Sequence, residues 1–517
     1  MSTIIVLSFA ASFTACYFAT PTIFGGRDQG AIATAAINLA KNKSFKFSTP
    51  VSRDLFQKYG PGRALNYPGF DYTSEGKLTS RFPKLYTAYL AGAYALFGLE
   101  GIQYANLIPL FLFLALFWLT LRQFFSEKIS FLGFLIAATF FPFLWFAKYT
   151  LTEIFMLALV WAGIYFLIIF CRCPTPTDRG VRHLQIALLA FALSALTRIE
   201  GIVFFLLAVV YIFALQKKRN IQIPKNFKKY LLISTLFLII AYLFLNYPAL
   251  SDSAKNIVKT FLSNSEKESA PSASLYAHLA KIFFSYNILV YVVLGLAGIG
   301  WLAGNLKANW TKPEFLPIFL TFPLFFYLIS PQITLDDPWL LRRFAFAVFP
   351  ALIFYSIYFS NKFFRHRVFL YIILAGLIGG NIAVSQKFLA YSENKNLLSQ
   401  TEKISQKFGP NDLILVDRLA TGSGFSLMSE PLNTIYGKNA VYFFSAEDLK
   451  YINRNQYKNI YLLAPAGEKS AWYDSLSKEL AGTFTIQNNF LEPSKKGFGL
   501  AENVDIITIN GIWKINI

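Results

Sequence analysis

The sequence predicts a polytopic α-helical membrane protein of about eleven spans, followed by a small C-terminal α/β domain outside the cytoplasm. Three observations predict it. First, 55% of the 517 residues are hydrophobic and only 15% are charged, against about 25% charged in soluble domains. Second, long apolar runs recur up to residue 386 and then stop. Third, the net charge of +20 is concentrated in alternate loops between those runs, as membrane topology imposes. In a soluble chain the same excess would suggest nucleic acid; here no nucleic-acid partner is implied. Three cysteines form no disulfide framework, and Cys171-x-Cys173 has no His nearby to make it a metal site. With three histidines in all, a His-based metal centre or a Ser-His-Asp triad is not supported.

A span needs ~20 mostly apolar residues. The eleven candidates are 3–20, 102–121, 129–147, 154–171, 184–197, 200–216, 230–247, 283–303, 314–330, 342–360 and 368–386. The N-terminus lacks the basic flank of a signal peptide, so the first segment is read as an uncleaved helix. Residues 84–98 are apolar but short and rich in Tyr, Ala and Gly; they read as an interfacial helix, with a span as the rival. Charge decides the orientation. With the N-terminus inside, loops 122–128, 171–183, 217–229, 304–312 and 361–367 face the cytoplasm and carry sixteen basic residues against two acids, Glu127 and Asp178. The first loop, 21–101, the 248–282 loop and everything after 387 then lie outside. Residues 1–387 form the transmembrane domain and 388–517 the extracytoplasmic one.

In the first loop, Phe24-Gly25-Gly26-Arg27-Asp28-Gln29-Gly30 follows directly on the first span. Glycines on both sides let the backbone turn sharply. Residues 31–40 read as a short helix whose N-terminal dipole lies beside Asp28. A Lys/Phe stretch at 41–47 and a Gly/Pro/Tyr-rich section through Tyr72 follow, too long and aromatic for an idle linker. Past 387, the runs 412–417, 439–444 and 459–464 read as buried parallel strands. Residues 446–454 and 468–480 read as helical, 482–490 and 503–509 as strands. Gly422-Ser423-Gly424 lacks a dinucleotide or Walker pattern and reads as a turn. No internal repeat is evident.

Several outer turns carry charged or polar groups where apolar helices end. These are Arg27 and Asp28; Arg81 and Lys84; Lys148, Tyr149, Thr152 and Glu153; Arg198 and Glu200; and Asp336, Asp337, Arg342 and Arg343. Charges near membrane depth are costly and default to function. Each also has a structural reading. Arg27-Asp28 would terminate a helix, Glu153 would cap one, and Arg198 and Glu200 would pair. Arg342 and Arg343 would snorkel, and Arg81 and Lys84 would meet headgroups. Asp336 and Asp337 are read as solvated. The chemistry that fits the set is group transfer from a phosphate leaving group at the membrane surface. A carboxylate serves as general base on an acceptor hydroxyl, and guanidiniums neutralise the departing phosphate.

At these residues the sequence resembles the GT-C superfamily of polytopic glycosyltransferases, the branch of protein O-mannosyltransferases and bacterial aminoarabinose transferases. Gly26-Arg27-Asp28-Gln29-Gly30 looks like the acidic first-loop motif. Arg81-Phe82-Pro83-Lys84-Leu85-Tyr86 with Ala95-Leu96-Phe97-Gly98 looks like the juxtamembrane element. Tyr149-Thr150-Leu151-Thr152-Glu153 looks like the second acidic turn, and Leu196-Thr197-Arg198-Ile199-Glu200-Gly201 like the Thr-Arg-Pro-Glu-Gly turn. The likeness covers about residues 1–215. It implies a multi-pass cell-membrane enzyme with its active site on the extracytoplasmic face. The donor would be a polyprenyl-phosphate sugar and the acceptor a lipid, glycan or protein. Transfer would invert the sugar carbon, with Asp28 as base, Arg27 orienting it and Glu153 completing the catalytic group. Arg81, Lys84, Tyr149, Arg198, Glu200, Arg342 and Arg343 would bind substrate. Gln29 stands where the family often has a second acid, and Ile199 replaces its Pro. No cofactor is certain, and a divalent cation (Mg or Mn) is left open. The alternatives are a lipid or sugar transporter or flippase, which calls for mid-membrane charges and inverted repeats, and a non-catalytic scaffold.

Overall fold

A computed structural model describes residues 1–172, 178–219, 229, 231–233, 235–243, 273–304, 310–329, 336–364, 366–467, 473, 476–494 and 498–516. Most of loops 217–229 and 248–282, with Cys173 and parts of segments 230–247 and 468–480, lie outside the described residues.

The helices in chain order are α1 (Ser2–Tyr17), α2 (Asp28–Asn42), α3 (Pro50–Tyr59), α4 (Lys84–Gln103), α5 (Leu107–Arg122), α6 (Glu127–Thr139), α7 (Phe141–Ala147), α8 (Thr152–Arg172), α9 (Asp178–Thr197) and α10 (Gly201–Arg219). They continue with α11 (Ala273–Ser285), α12 (Leu289–Ala303), α13 (Leu316–Thr321), α14 (Phe326–Ile329), α15 (Arg342–Ala345), α16 (Val348–Phe363), α17 (Arg367–Leu389), α18 (Leu397–Ser405) and α19 (Ser429–Thr434). Four described helices are long and apolar enough to cross a membrane singly, and eight spans result if each of four bent pairs counts as one. α8, with 21 residues, is ~31 Å long at 1.5 Å per residue, the thickness of a bilayer core. The remaining expected segments fall on the shorter apolar helices Ser2–Tyr17, Leu231–Leu243 and Pro313–Ile329.

Three segments expected as single spans are broken. α6 and α7 bend by 49° where Pro142 lies in the first turn of α7 and supplies no amide hydrogen. α11 and α12 bend by 100° around Asn287, which is left-handed at φ +57°, a conformation Asn tolerates. The short helical run ending in α15 meets α16 at 65°. α4 is kinked at Gly98 (φ +60°), where the expected segment ends, resumes to Gln103, and meets α5 at 77°. If α5 crosses the bilayer, α4 therefore lies nearly along its surface.

The first loop folds into more than the expected helix. β1 (Lys46–Phe47), β2 (Gly62–Arg63), β3 (Phe70–Tyr72) and β4 (Leu78–Ser80) form an antiparallel sheet in the order β1-β4-β3-β2. α3 begins with a reciprocal Thr49–Ser52 capping box. After α17, β5 (Leu413–Val416), β6 (Asn439–Tyr442), β7 (Ile460–Pro465), β8 (Lys478–Glu492) and β9 (Glu502–Ile515) make one mixed sheet in the order β6-β5-β7-β9-β8. β5 runs parallel to β6 and β7, as the continuous apolar runs predict, and the long β8–β9 hairpin is antiparallel. Residues 446–454 form two short 3-10 turns rather than one helix. Asn453 between them donates its amide to Asp54 Oδ2 at 2.9 Å. Residues 478–480, expected as a helix end, open β8.

The two sheets do not fold apart from one another. β5 is buried on both faces. Ile414 and Val416 join Ile32 and Ile37 of α2 and Tyr86 and Leu90 of α4. Leu413 and Leu415 join Val51 and Leu55 of α3 and Tyr67 and Phe70. Asp448, fully buried, accepts Lys58 Nζ at 2.5 Å, Tyr59 OH at 3.0 Å and Asn66 Nδ2 at 3.0 Å, and so pins the first loop to the C-terminal sheet.

Candidate active site

Asp28 is the first residue of α2, and Arg27 before it is extended (φ −118°, ψ 160°). The carboxylate thus sits at the positive end of the helix dipole. Gly26 adopts φ +96°, a conformation open to glycine and strained for a side chain. The 149–153 turn docks on this motif. Thr150 Oγ1 donates to the Gln29 carbonyl at 2.9 Å, and the Thr22 and Thr150 hydroxyls lie 2.6 Å apart.

From Asp28 a chain of alternating charge crosses one end of the helix bundle. Arg342, at the start of α15, places its guanidinium 2.7 Å from Asp28 Oδ2 and 3.3 Å from Glu153 Oε1. Glu153 Oε1 also takes Arg198 at 2.7 Å. Arg198 continues to Glu200 at 3.1 Å and to Thr152 Oγ1 at 2.9 Å. Tyr327 donates to Glu200 Oε1 at 2.9 Å and lies under the Arg343 guanidinium, 5.3 Å from its ring centre. The Glu153 side chain is 1% exposed and that of Asp28 40%. The network is therefore buried at Glu153 and open at Asp28. Among the described residues, buried Glu153 Oε2 has no hydrogen-bond partner. Among the described residues Arg343 has no ion pair.

Of the residues singled out in the sequence, Asp28, Glu153, Arg198, Glu200 and Arg342 are brought together directly, and Arg343 joins through Tyr327. Arg27 is not beside the Asp28 carboxylate. It turns to Asp336 at 3.5 Å and lies between the rings of Trp339 and Phe425, 4.5 and 4.3 Å from their centres. The residue that contacts Asp28 is Arg342. Arg81 is held at 2.5 Å by Asp71, and Lys84 donates to the Ser80 carbonyl at 2.8 Å; both belong to the first-loop sheet rather than to the network. Tyr149 is buried against Trp339, centroids 4.5 Å apart, and shares a hydrogen bond with Glu393. Lys148 donates to the carbonyls of Phe388, Leu389 and Tyr391 at 2.6 to 2.8 Å, where it caps the end of α17. Asp337, expected in solvent, is buried. Burial pushes its carboxyl up to about 6, against the opposing pull of Tyr286 and Lys281.

Sequence reasoning missed Tyr327, Trp339, Glu393 and Phe425. Glu393 is buried, which raises its pKa against the opposing effects of Arg27 and Tyr149. An acid four residues beyond the last helix was the one available signal. Asp28, Glu153 and Glu200 each face a guanidinium, and among the described residues no three Asp, Glu, His or Cys side chains converge.

The fold and site define a multi-helix membrane protein with an ionic network at one bundle end beneath a mixed sheet. No family model matches the chain, and no curated protein matches it in sequence. Solved structures do match. ArnT from Cupriavidus metallidurans bound to undecaprenyl phosphate aligns over 98% of this chain and 97% of its own, with a TM-score of 0.57 at 12% identity. Its apo form aligns over 99% and 97%, with a TM-score of 0.55 at 12% identity. The Archaeoglobus fulgidus oligosaccharyltransferase AglB, in complex with an inhibitory peptide and a dolichol-phosphate, aligns over 89% of this chain and 69% of its own, with a TM-score of 0.51 at 10% identity. This chain shares the fold of both proteins.

Proposed function

We propose that the protein is a membrane glycosyltransferase that moves a sugar from a polyprenyl-phosphate donor to an acceptor hydroxyl on the extracytoplasmic face. The observation that carries the proposal is the Asp28–Arg342–Glu153–Arg198–Glu200 chain, assembled from four separate turns at one end of the bundle. The two neighbours captured with a polyprenyl phosphate support the donor class. The basic inner loops support the outward placement, and the bend between α4 and α5 supports an interfacial α4.

Asp28, the open end of the network, takes the proton of the acceptor hydroxyl as its oxygen bonds to the anomeric carbon. The bond from that carbon to the phosphate oxygen breaks, the sugar carbon inverts, and the polyprenyl phosphate leaves with an added negative charge. Arg342 orients Asp28, and Glu153 holds Arg342 against Arg198. Arg343, whose charge no described carboxylate neutralises, receives the developing phosphate charge. Residues 388–517 form the extracytoplasmic domain above this site, and Arg81 and Lys84 support the first loop from outside it. The test is transfer by purified protein from a panel of polyprenyl-phosphate sugars, with products read by mass spectrometry. Asp28→Asn inserts normally and transfers nothing. Wild-type activity in that variant would remove Asp28 as the base.

A further inference from the structure

The turn that carries Asp28 is gripped by a segment about four hundred residues away in sequence. Gly25 and Leu427 exchange backbone hydrogen bonds, Gly25 N–H to Leu427 O at 3.2 Å and Leu427 N–H to Gly25 O at 2.9 Å. A Cβ on Gly25 would stand 2.1 Å from Glu430 Oε1, and one on Gly26 would stand 3.1 Å from Gly424 O and from Phe425 Cα. Both glycines thus pack closely against residues 424–430. The next residue, Arg27, extends its guanidinium between the Phe425 and Trp339 rings. Its Nε is buried and makes no hydrogen bond among the described residues. Two aromatic faces, with one carboxylate at 3.5 Å, fix this side chain.

We propose that the 424–430 loop positions Asp28, with Phe425 as the positioning residue that acts through Arg27. The proposal rests on the reading of Asp28 as general base. Asp28 adjoins Arg27 in the chain, and its own carboxylate is tied only to Arg342 among the described residues. The direction in which α2 presents Asp28 thus follows from how Arg27 is clamped. A flat ring is what the clamp requires, since a cation is held over the face of an aromatic ring and not over an aliphatic group of similar size.

Phe425→Leu and Phe425→Trp separate the clamp from simple space filling, because both keep an apolar side chain on the loop. Phe425→Leu is expected to lower kcat at least tenfold with donor KM within about twofold, since small misplacements of a reacting group are costly in rate. Phe425→Trp is expected to keep kcat within about threefold of wild type. Amide hydrogen exchange at residues 25–30, measured on the same samples, is expected to quicken in Phe425→Leu and not in Phe425→Trp. Wild-type kcat in Phe425→Leu, or unchanged exchange at 25–30, overturns the proposal. If the wild-type protein transfers no sugar from any donor while exchange responds as expected, the clamp stands and the general-base reading falls.

Discussion

Neutralising Glu430 should stabilise the protein at alkaline pH. Glu430 lies in the first turn of α19, buried against Gly25, and its Oε2 accepts Ser429 Oγ at 2.7 Å. Burial lifts its carboxyl from 4.5 to about 7, opposed by the Ser429 hydroxyl and by backbone amides of Glu430 and Gly25. Because the folded state holds this proton more tightly than the unfolded one, the contribution to stability is complete below pH 4.5. It shrinks as pH rises toward about 7 and is gone above that. A rise of this size corresponds to about 3 kcal/mol at about 1.4 kcal/mol per pH unit. Glu430→Gln cannot ionise and keeps an oxygen for Ser429. Thermal unfolding of detergent-solubilised wild type and variant, followed from pH 4.5 to 8.5, measures the difference. The variant should gain on the wild type progressively up to pH 7 and then hold its lead. A gap that stays constant with pH would mean that Glu430 titrates alike in both states, and the buried-carboxyl argument would fail.

Two further substitutions probe other parts of the reasoning. Arg343→Ala should lower transfer about a hundredfold, the usual cost of removing one stabiliser of developing charge, with an unchanged melting temperature; Lys at that position should restore part of the rate, and steady-state kinetics decide it. Asp448→Asn should cost about 3 kcal/mol, because Lys58 loses its carboxylate in a buried contact. The expected readout is earlier unfolding together with faster proteolysis of the first loop, and equal proteolysis in the two proteins would count against a shared core.

What could be read from the chain follows the range of the forces involved. Apolar runs report burial one residue at a time, so all eleven segments were visible as segments. The breaks at Pro142 and Asn287 were not, because a helix interrupted inside a bilayer looks apolar throughout. Leu413–Val416 announced a central parallel strand by being apolar at every position. The first-loop sheet gave no such signal, since β1 and β4 are two and three residues long and pair across about thirty residues. Charges next to spans stood out because they are costly there, and five of them proved to touch. Their aromatic partners were invisible. In a chain with 55 Phe, 28 Tyr and 8 Trp, nothing marks Phe425, Tyr327 or Trp339 before the fold brings them to an arginine.

The exchange of roles between Arg27 and Arg342 follows from that limit. Adjacency in sequence suggested that Arg27 serves Asp28, yet neighbours at the start of a helix point in different directions, and an extended residue at 27 sends its side chain away from that at 28. Arg342 and Arg343 divide in the same way. They are consecutive, so one faces Asp28 and Glu153 while the other lies over Tyr327. The consequence is electrostatic. Three carboxylates alternate with two guanidiniums along the chain from Asp28 to Glu200, which leaves one excess negative charge. Arg343 beside it brings the group to balance before any substrate enters. Under the transfer reading, a donor phosphate gains negative charge as the sugar departs, and the cation least committed to carboxylates is the one best able to respond. The alternation of acids and arginines is thus an argument for general-base transfer carried by the protein's own charges.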